Sequence, residues 1–313
     1  MTDKWNPTVA VLGAGAMGSV FGGLLCEGGL DVILVDVWQE HVEKINQNGL
    51  RIVGHGGDRT VPMKAFNRVG SSKPVDIVLV QCKAKATKQA ILAAKGLFGD
   101  NSVAISFQNG LGNEEIIAEI LGPERVLGGS TSQGASVEEA GVVRNFSDLA
   151  SHIGEIMGGP SERASSIAKV FTEAGLRTYP SENIQHVIWK KLFANVALGP
   201  ACAVADLTIN GMKAIPELWE TALSALDEAL AVSNAEGFDF TPEQAREVLF
   251  QIVGEGGTGD NKPSVCADIN KKRPTEIDVM NGAIVRLGRR HGIPTPVNRT
   301  LVAVVKGIES NYI

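Results

Sequence analysis

Along residues 8–121, short apolar runs alternate with longer stretches of helical periodicity. "TVAVLG" (8–13) reads as a strand, and "AMGSVFGGLLCEGG" (16–29) as a helix ending in glycines. "DVILVD" (31–36) gives a second strand, and "QEHVEKINQNG" (39–49) a second helix closed by Gly49. "VDIVLVQCK" (75–83) is apolar at nearly every position, the pattern of a parallel strand buried on both faces. A helical stretch follows to residue 95, then a strand in "SVAISFQNG" (102–110) and a helix in "NEEIIAEIL" (113–121). This alternation predicts a parallel sheet with right-handed crossovers.

After residue 122 the pattern changes. "RVLGGSTSQGAS", "GVVRNF" and "SHIGEIMG" read as β segments, followed by a helix near 161–174. "TYPSEN" (178–183) reads as a connector, with Pro180 breaking the run and Ser181 or Asn183 able to cap the next helix. From there to residue 309 the periodicity is mostly helical. The expected fold is α/β: an N-terminal Rossmann-type doubly wound parallel sheet over residues 1–181, and a C-terminal all-helical domain over 182–313.

Composition fits that division. A chain of 313 residues suggests about two domains, and 44% hydrophobic against 20% charged residues supplies a sizeable core. The net charge of −6 argues against a nucleic-acid surface, which needs basic clustering. It leaves room for a phosphorylated ligand, because backbone N–H groups at a helix N-terminus hold phosphate without net positive charge. Cys26, Cys82, Cys202 and Cys266 are scattered, as in a reducing compartment, and the five histidines show no zinc-site spacing, so no metal is expected. The start "MTDKWNPTVAVLG" lacks the basic and apolar regions of a signal peptide, and apolar stretches break before 18 residues. A cytoplasmic protein without membrane partners is the expectation.

Candidate chemistry begins between the first strand and first helix. Gly13-Ala14-Gly15-Ala16-Met17-Gly18 is a G-x-G-x-x-G turn. Its first glycine permits the tight turn, its second lets a pyrophosphate approach, and its third lets helix and strand pack closely. Alone the motif is weak. Here a strand precedes it, a helix and second strand follow, and Asp36 closes that strand 18 residues past Gly18, which makes dinucleotide binding a strong reading. A carboxylate at Asp36 accepts hydrogen bonds from ribose hydroxyls and repels a 2′-phosphate. Val37 and Trp38 follow it, with no arginine to offset that repulsion. NAD(H) is favoured, with NADP(H) as the alternative. A role for Asp36 in starting the next helix is compatible with this.

In "NIQHVIWKKLFANVALGP" (183–200), Ile184, Ile188, Lys191 and Asn195 share one helical stripe. Burial there disfavours the charged form of Lys191 and makes it a usable proton donor, whereas a lone lysine more commonly snorkels at a helix edge. In "KPSVCADINKKRPTEIDVMNG" (262–282), Pro274 breaks a helix and Thr275-Glu276-Ile277-Asp278 restarts one like a capping box, placing Glu276 in its first turn. The bland reading of Glu276 is a helix-start carboxylate. Lys83 and Gln108-Asn109-Gly110 fall just past parallel strands, on the edge where open α/β sheets bind ligands, although Asn-Gly also suits an ordinary turn.

Together these pieces resemble one family, the ketopantoate reductases (2-dehydropantoate 2-reductases). The resemblance spans nearly the whole chain and rests on the glycine turn, the strand ending in Lys83, "QNG.GNEE", "W.KL..N" at 189–195 and "S...D....RPTEID..NG" at 264–282. It implies reduction of 2-dehydropantoate to pantoate, in pantothenate biosynthesis, by a nicotinamide-dependent oxidoreductase. Lys191 would be the general acid, and Glu276 the carboxylate that binds a substrate hydroxyl and helps set Lys191. Asn109, Asn195 and Ser264 would position substrate, with Asp268 supporting Ser264. Asn109 would also join Gly13, Ala14, Gly15, Ala16, Met17, Gly18, Asp36 and Lys83 around the cofactor. The resemblance further implies hydride transfer in a cleft between the domains, and allows a monomer or a homodimer.

Two departures matter. Where the family carries arginine after the second strand, this chain has Val37, preceded by Asp36. Where many members carry asparagine four residues past Asn195, it has Gly199. The alternatives are therefore an NAD-dependent dehydrogenase of another small oxo or hydroxy acid in catabolism, and, from another class, a non-catalytic NAD(H)-binding regulator. The glycine-rich stretch 254–264 reads equally as a mobile lid or a plain surface loop.

Overall fold

The computed structural model describes residues 5–70 and 73–313; the polar start at residues 1–4 lies outside the described residues. The chain divides into two compact units. The N-terminal unit runs through Gln108 and resumes over Asn113–Gln185, and the helical unit comprises Asn109–Gly112 and His186–Ile313.

The strands are β1 (Val9–Leu12), β2 (Val32–Val35), β3 (Leu50–Gly54), β4 (Arg59–Val61), β5 (Lys64–Phe66), β6 (Val75–Val80), β7 (Phe98–Ser106), β8 (Val126–Thr131), β9 (Ala135–Glu139), β10 (Val142–Asn145), β11 (Ser151–Glu155) and β12 (Thr178–Pro180). An eight-stranded sheet has the order β12-β11-β8-β7-β6-β1-β2-β5, and a four-stranded sheet the order β4-β3-β10-β9. In the larger sheet β5 to β8 are parallel, while β11 runs antiparallel to β8. The connections run outward from β1 to β2, then jump back to β6 on the other side. The ends of β1 and β6 therefore form the switch point where such sheets bind ligands.

Five helices accompany the sheets: α1 (Ala16–Glu27), α2 (Gln39–Asn48), α3 (Thr87–Ala93), α4 (Asn113–Leu121) and α5 (Glu162–Glu173). Helix α1 packs on both sheets, and adjacent glycines make that close approach possible. A Cβ on Gly22 would sit 2.6 Å from Leu34 of the large sheet, and one on Gly23 would sit 2.5 Å from Ile52 of the small sheet. Buried Val11, Phe21, Leu34, Leu50 and Ile52 fill this layer, while Ala10, Val78, Ile91 and Ile117 form the core on the opposite face of the large sheet.

"TYPSEN" is not only a connector. Thr178–Pro180 form β12, paired in parallel with β11. Its place at the edge of the sheet explains why a proline is tolerated there.

The helical unit is built from α6 (Ile184–Ala205), α7 (Ile209–Lys213), α8 (Pro216–Ala235), α9 (Pro242–Val253), α10 (Ser264–Asn270), α11 (Asn281–His291) and α12 (Pro296–Glu309). Helix α6 is apolar nearly all round, as a central helix must be. Among the described residues it alone is long and apolar enough to cross a membrane, yet 72% of that stretch is buried inside the protein. Leu192, Phe193, Val196 and Ala197 pack against Leu226, Leu249, Met280 and Ile284.

Helix α11 begins at Asn281, later than the capping-box reading of Thr275–Asp278 expects. Glu276 instead lies in a turn before the helix, its carbonyl accepting from the N–H of Val279 at 3.1 Å. Thr275 Oγ1 accepts from the N–H of Ile277 at 3.3 Å rather than from a third helical residue. Glu276 is therefore not a first-turn residue of α11.

Candidate active site

The glycine turn meets each requirement of its motif for a separate reason. Gly13 has φ +97°, and a Cβ there would lie 2.4 Å from the backbone nitrogen of Cys82, just past β6. A Cβ on Gly18 would strike the Gly13 carbonyl at 2.0 Å, so only glycine lets α1 start so close to β1. At Gly15 a Cβ would meet nothing within 4 Å. Open space thus remains beside the turn, where the motif brings a pyrophosphate. The first turn of α1, with Ala16 and Met17, has neither an acidic residue nor a side-chain cap. Its N–H groups have no intrahelical acceptors and form a ready anion site. These residues fit a dinucleotide.

Asp36 stands one position beyond β2, and its Oδ1 accepts from the Trp38 N–H at 2.9 Å. It therefore shapes the entry to α2 as well as projecting a carboxylate at the strand end. Val37 is 91% exposed and offers no cation. Lys83 is an exposed residue of the N-terminal unit, three positions past β6. Beside it the ends of β6 and β7 are clamped by Gln108, whose Nε2 donates to the Cys82 carbonyl at 2.6 Å and to Thr87 Oγ1 at 2.8 Å. Ser106 bonds to buried Glu114, whose carboxyl burial pushes up to about 8.

The residue after Gln108 belongs to the helical unit. The Leu111 N–H donates to the Val279 carbonyl at 2.9 Å, and Gly110 has φ +84° with no room for a Cβ beside that carbonyl. This contact lays Asn109 against the Glu276 turn. Asn109 Oδ1 accepts from Lys191 Nζ at 2.9 Å, and its Nδ2 donates to Glu276 Oε2 at 3.1 Å. An amide has one acceptor end and one donor end, so a cation and a carboxylate fix which end faces which. Burial lowers Lys191 to about 8, with Glu276 pulling the other way. Lys191 nonetheless keeps partial exposure. An ammonium has three donors, and Asn109 engages one of them. The arrangement can hydrogen-bond a carbonyl oxygen and release a proton to it near neutral pH.

Asn195 lies one turn further along α6 on the same stripe and is partly buried. Ser264 is exposed as the first residue of α10. Asp268, buried one turn on, accepts from Arg273 at 2.9 Å. Gly199 is a packing site: a Cβ there would press on Val265 of α10 at 3.3 Å. Among the described residues no three His, Cys, Asp or Glu side chains gather as a metal site requires.

Two supporting residues escaped the sequence reading. Glu309, buried on α12, accepts from the Thr275 N–H at 2.6 Å and holds the segment carrying Glu276. Asn281, buried at the start of α11, donates to the Val196 carbonyl at 2.9 Å and to Asn298 Oδ1 at 2.9 Å. Pro200 lies inside α6 and has no N–H, so the Val196 carbonyl four residues earlier has lost its helical partner. Asn281 supplies the missing donor. A proline inside an otherwise regular helix is the signal that asks for such a partner. Nothing comparable marks Glu309, which is brought in from 34 residues away.

Sequence and structure comparisons bear on the family of the chain. The profile described as "Ketopantoate reductase PanE/ApbA" matches residues 9–158, and its C-terminal counterpart matches 183–309. The 2-dehydropantoate 2-reductase of Archaeoglobus fulgidus is 34% identical over 302 residues, covering 96% of this chain and 98% of the relative. That of Pyrococcus horikoshii is 35% identical over 304 residues, covering 96% and 97%. Among solved structures, D-mandelate dehydrogenase with NADH and anilino(oxo)acetate superimposes with a TM-score of 0.93 at 27% identity, covering 97% of this chain and 99% of that one. A PanE/ApbA family ketopantoate reductase from Ralstonia eutropha JMP134 gives 0.89 at 28% identity, with the same coverage. With its glycine turn, its lysine–asparagine–glutamate constellation and full-length relatives at this level of identity, the chain belongs to the ketopantoate reductase family.

Proposed function

We propose that this protein reduces 2-dehydropantoate to pantoate with NADH, and that Lys191 delivers the proton. The observation that carries this reading is the bridge from Lys191 through Asn109 to Glu276. When bound, the nicotinamide supplies the hydride that arrives at the carbonyl carbon. Lys191 donates a hydrogen bond to the carbonyl oxygen and gives up its proton as charge develops there, leaving a neutral amine that solvent reprotonates. Asn109 holds the ammonium in place without neutralising it. Glu276 accepts from a substrate hydroxyl and keeps Lys191 charged at neutral pH. Asn195 and Ser264 contribute further polar contacts to substrate. In the N-terminal unit, the amides of the glycine turn take the pyrophosphate, Lys83 serves the cofactor end of the site, and Asp36 accepts from the ribose hydroxyls. The last contact supports NAD(H) over NADP(H).

One observation favours a second reading, in which another small 2-oxo or 2-hydroxy acid is the substrate. Gly199, packed against Val265, supplies no polar side chain at a position where the family resemblance leads one to expect an asparagine. The likeness to D-mandelate dehydrogenase gives this reading a concrete direction, a 2-oxo acid with a bulkier apolar group. The deciding experiment assays 2-dehydropantoate and phenylglyoxylate with NADH and NADPH, alongside the matching hydroxy acids with NAD. Turnover of 2-dehydropantoate with the highest kcat/KM supports the main reading. Turnover of phenylglyoxylate alone replaces it with the second. Tight NADH binding without turnover of any of these favours a non-catalytic role.

A further inference from the structure

His41, on α2, is wholly buried in the N-terminal unit and has no part in the chemistry above. Its Nδ1 accepts from the N–H of Gly141 at 2.9 Å, in the turn between β9 and β10. In the neutral ring, Nε2 must then carry the proton. Nε2 lies 3.2 Å from Ser19 Oγ on α1, and that hydroxyl donates onward to the carbonyl of Ala14 at 2.7 Å. The direction of every bond is fixed: Gly141 to His41, His41 to Ser19, Ser19 to Ala14. Burial lowers the pKa of His41, against the pull of Asp36 and the Ala14 carbonyl, which keeps the ring in the form this relay needs.

The relay ends on the peptide that matters most to a phosphate. The C=O and N–H of a trans peptide point in opposite directions. Holding the Ala14 carbonyl against Ser19 therefore turns the N–H of Gly15 the other way, away from the Ser19 hydroxyl. A flipped peptide would aim a carbonyl oxygen at the phosphate instead. The same imidazole supports the ribose side. The Trp38 ring stacks on it with centroids 4.9 Å apart and planes 10° from parallel, and the Trp38 N–H is held by Asp36.

We infer that His41 is a positioning residue for the dinucleotide, fixing the glycine turn through Ser19 and the Asp36 loop through Trp38. This rests on the reading of the turn as a dinucleotide site. The test measures Kd for NADH and for ADP-ribose, which lacks the nicotinamide, in wild type, Ser19→Ala, His41→Asn and the double variant. Each single variant should raise both Kd values by about tenfold, the effect of roughly one hydrogen bond. The double variant should be no weaker than the poorer single one, because both act through one relay. The loss should fall on the KM for NADH rather than on kcat. Folded variants with Kd within twofold of wild type, or losses that multiply in the double variant, overturn the inference. A variant that does not fold leaves the wild type to decide. Nitrogen NMR of its labelled imidazoles should show His41 protonated at Nε2 and shifted by ADP-ribose; the other tautomer, or a ring silent to ADP-ribose, overturns the inference. Wild type that binds neither ligand sinks the dinucleotide reading itself, and the relay with it.

Discussion

Asn109 stands between Lys191 and Glu276, accepting from the lysine at 2.9 Å and donating to the carboxylate at 3.1 Å. The lysine is thus oriented by a neutral amide, and the carboxylate acts on its charge from beyond that amide. Lys191→Ala should lower kcat by 10²–10⁴-fold, the usual range for a lost general acid, with Kd for NADH within twofold. Asn109→Ala should lower kcat less, by roughly tenfold to a hundredfold, because the acid is present but loosely held. Steady-state kinetics beside NADH titrations separates the two effects. Unchanged turnover in Lys191→Ala would remove it from the mechanism.

The pH profile follows from the same group. Reduction needs the ammonium, so kcat/KM should be flat below a pKa of about 8 and fall tenfold per pH unit above it. Oxidation of the hydroxy acid needs the free amine and should rise through that range. Glu276 opposes the burial that lowers Lys191, so Glu276→Gln should move the reductive limb to lower pH. A limb that stays in place, or moves up, contradicts the assignment.

The glycine turn separates folding from binding. Gly15→Ala adds a methyl that meets no protein atom within 4 Å, so thermal stability should hold while NADH binding weakens by tenfold or more. Gly18→Ala drives a Cβ to 2.0 Å from the Gly13 carbonyl and should cost both stability and binding. Calorimetry with NADH titration gives both quantities. Equal binding by wild type and Gly15→Ala would place the cofactor elsewhere.

Cofactor preference should follow Asp36. Two like charges about 4 Å apart repel by roughly 4 kcal/mol at a surface-like dielectric, before relaxation and screening. Wild type should therefore prefer NADH to NADPH by at least tenfold in kcat/KM. Asp36→Ser with Val37→Arg should narrow or reverse that ratio. A wild-type preference for NADPH would defeat the argument at its first step.

Glu309 offers a test remote in sequence from the lysine. Glu309→Ala leaves the buried Thr275 N–H without its acceptor, a cost of about 1–3 kcal/mol. KM for the oxo acid should rise, because the Glu276 segment loosens, while Kd for NADH stays within twofold. Denaturant melts and the two binding measurements would show whether the damage is confined in this way.

Much of this could be read along the chain because it is local. The alternating apolar runs locate β1, β2 and β6, and the spacing from Gly18 to Asp36 marks the turn proposed to hold the cofactor. The stripe on α6 set Lys191 among apolar residues, and the family resemblance gave it a role. The harder parts depend on partners distant in sequence. "TYP" becomes a strand only because β11 offers its edge, and a proline is cheap there. Glu276 precedes α11 because Thr275 is held by Glu309 and the chain turns before the helix can start. Asn109 looks like a turn residue until Gly110 and Leu111 seat against Val279. Periodicity carries no signal for contacts of that kind.

Pro200 gives α6 something a regular helix lacks. Along an unbroken helix every interior carbonyl is already bonded, so no rung differs from the next to a neighbour seeking a hold. By withholding one N–H, Pro200 makes the rung at Val196 unique, and Asn281 engages it. The interruption works as a dowel hole: α11 can seat at one height and one rotation, and the turn bearing Glu276 is set level with the lysine one and a half turns before Val196. The usual expectation for helix prolines is thereby inverted. Replacing Pro200 by alanine would return the carbonyl to its own helix and leave Asn281 a buried donor with less to hold, so a change that perfects the helix would loosen the site.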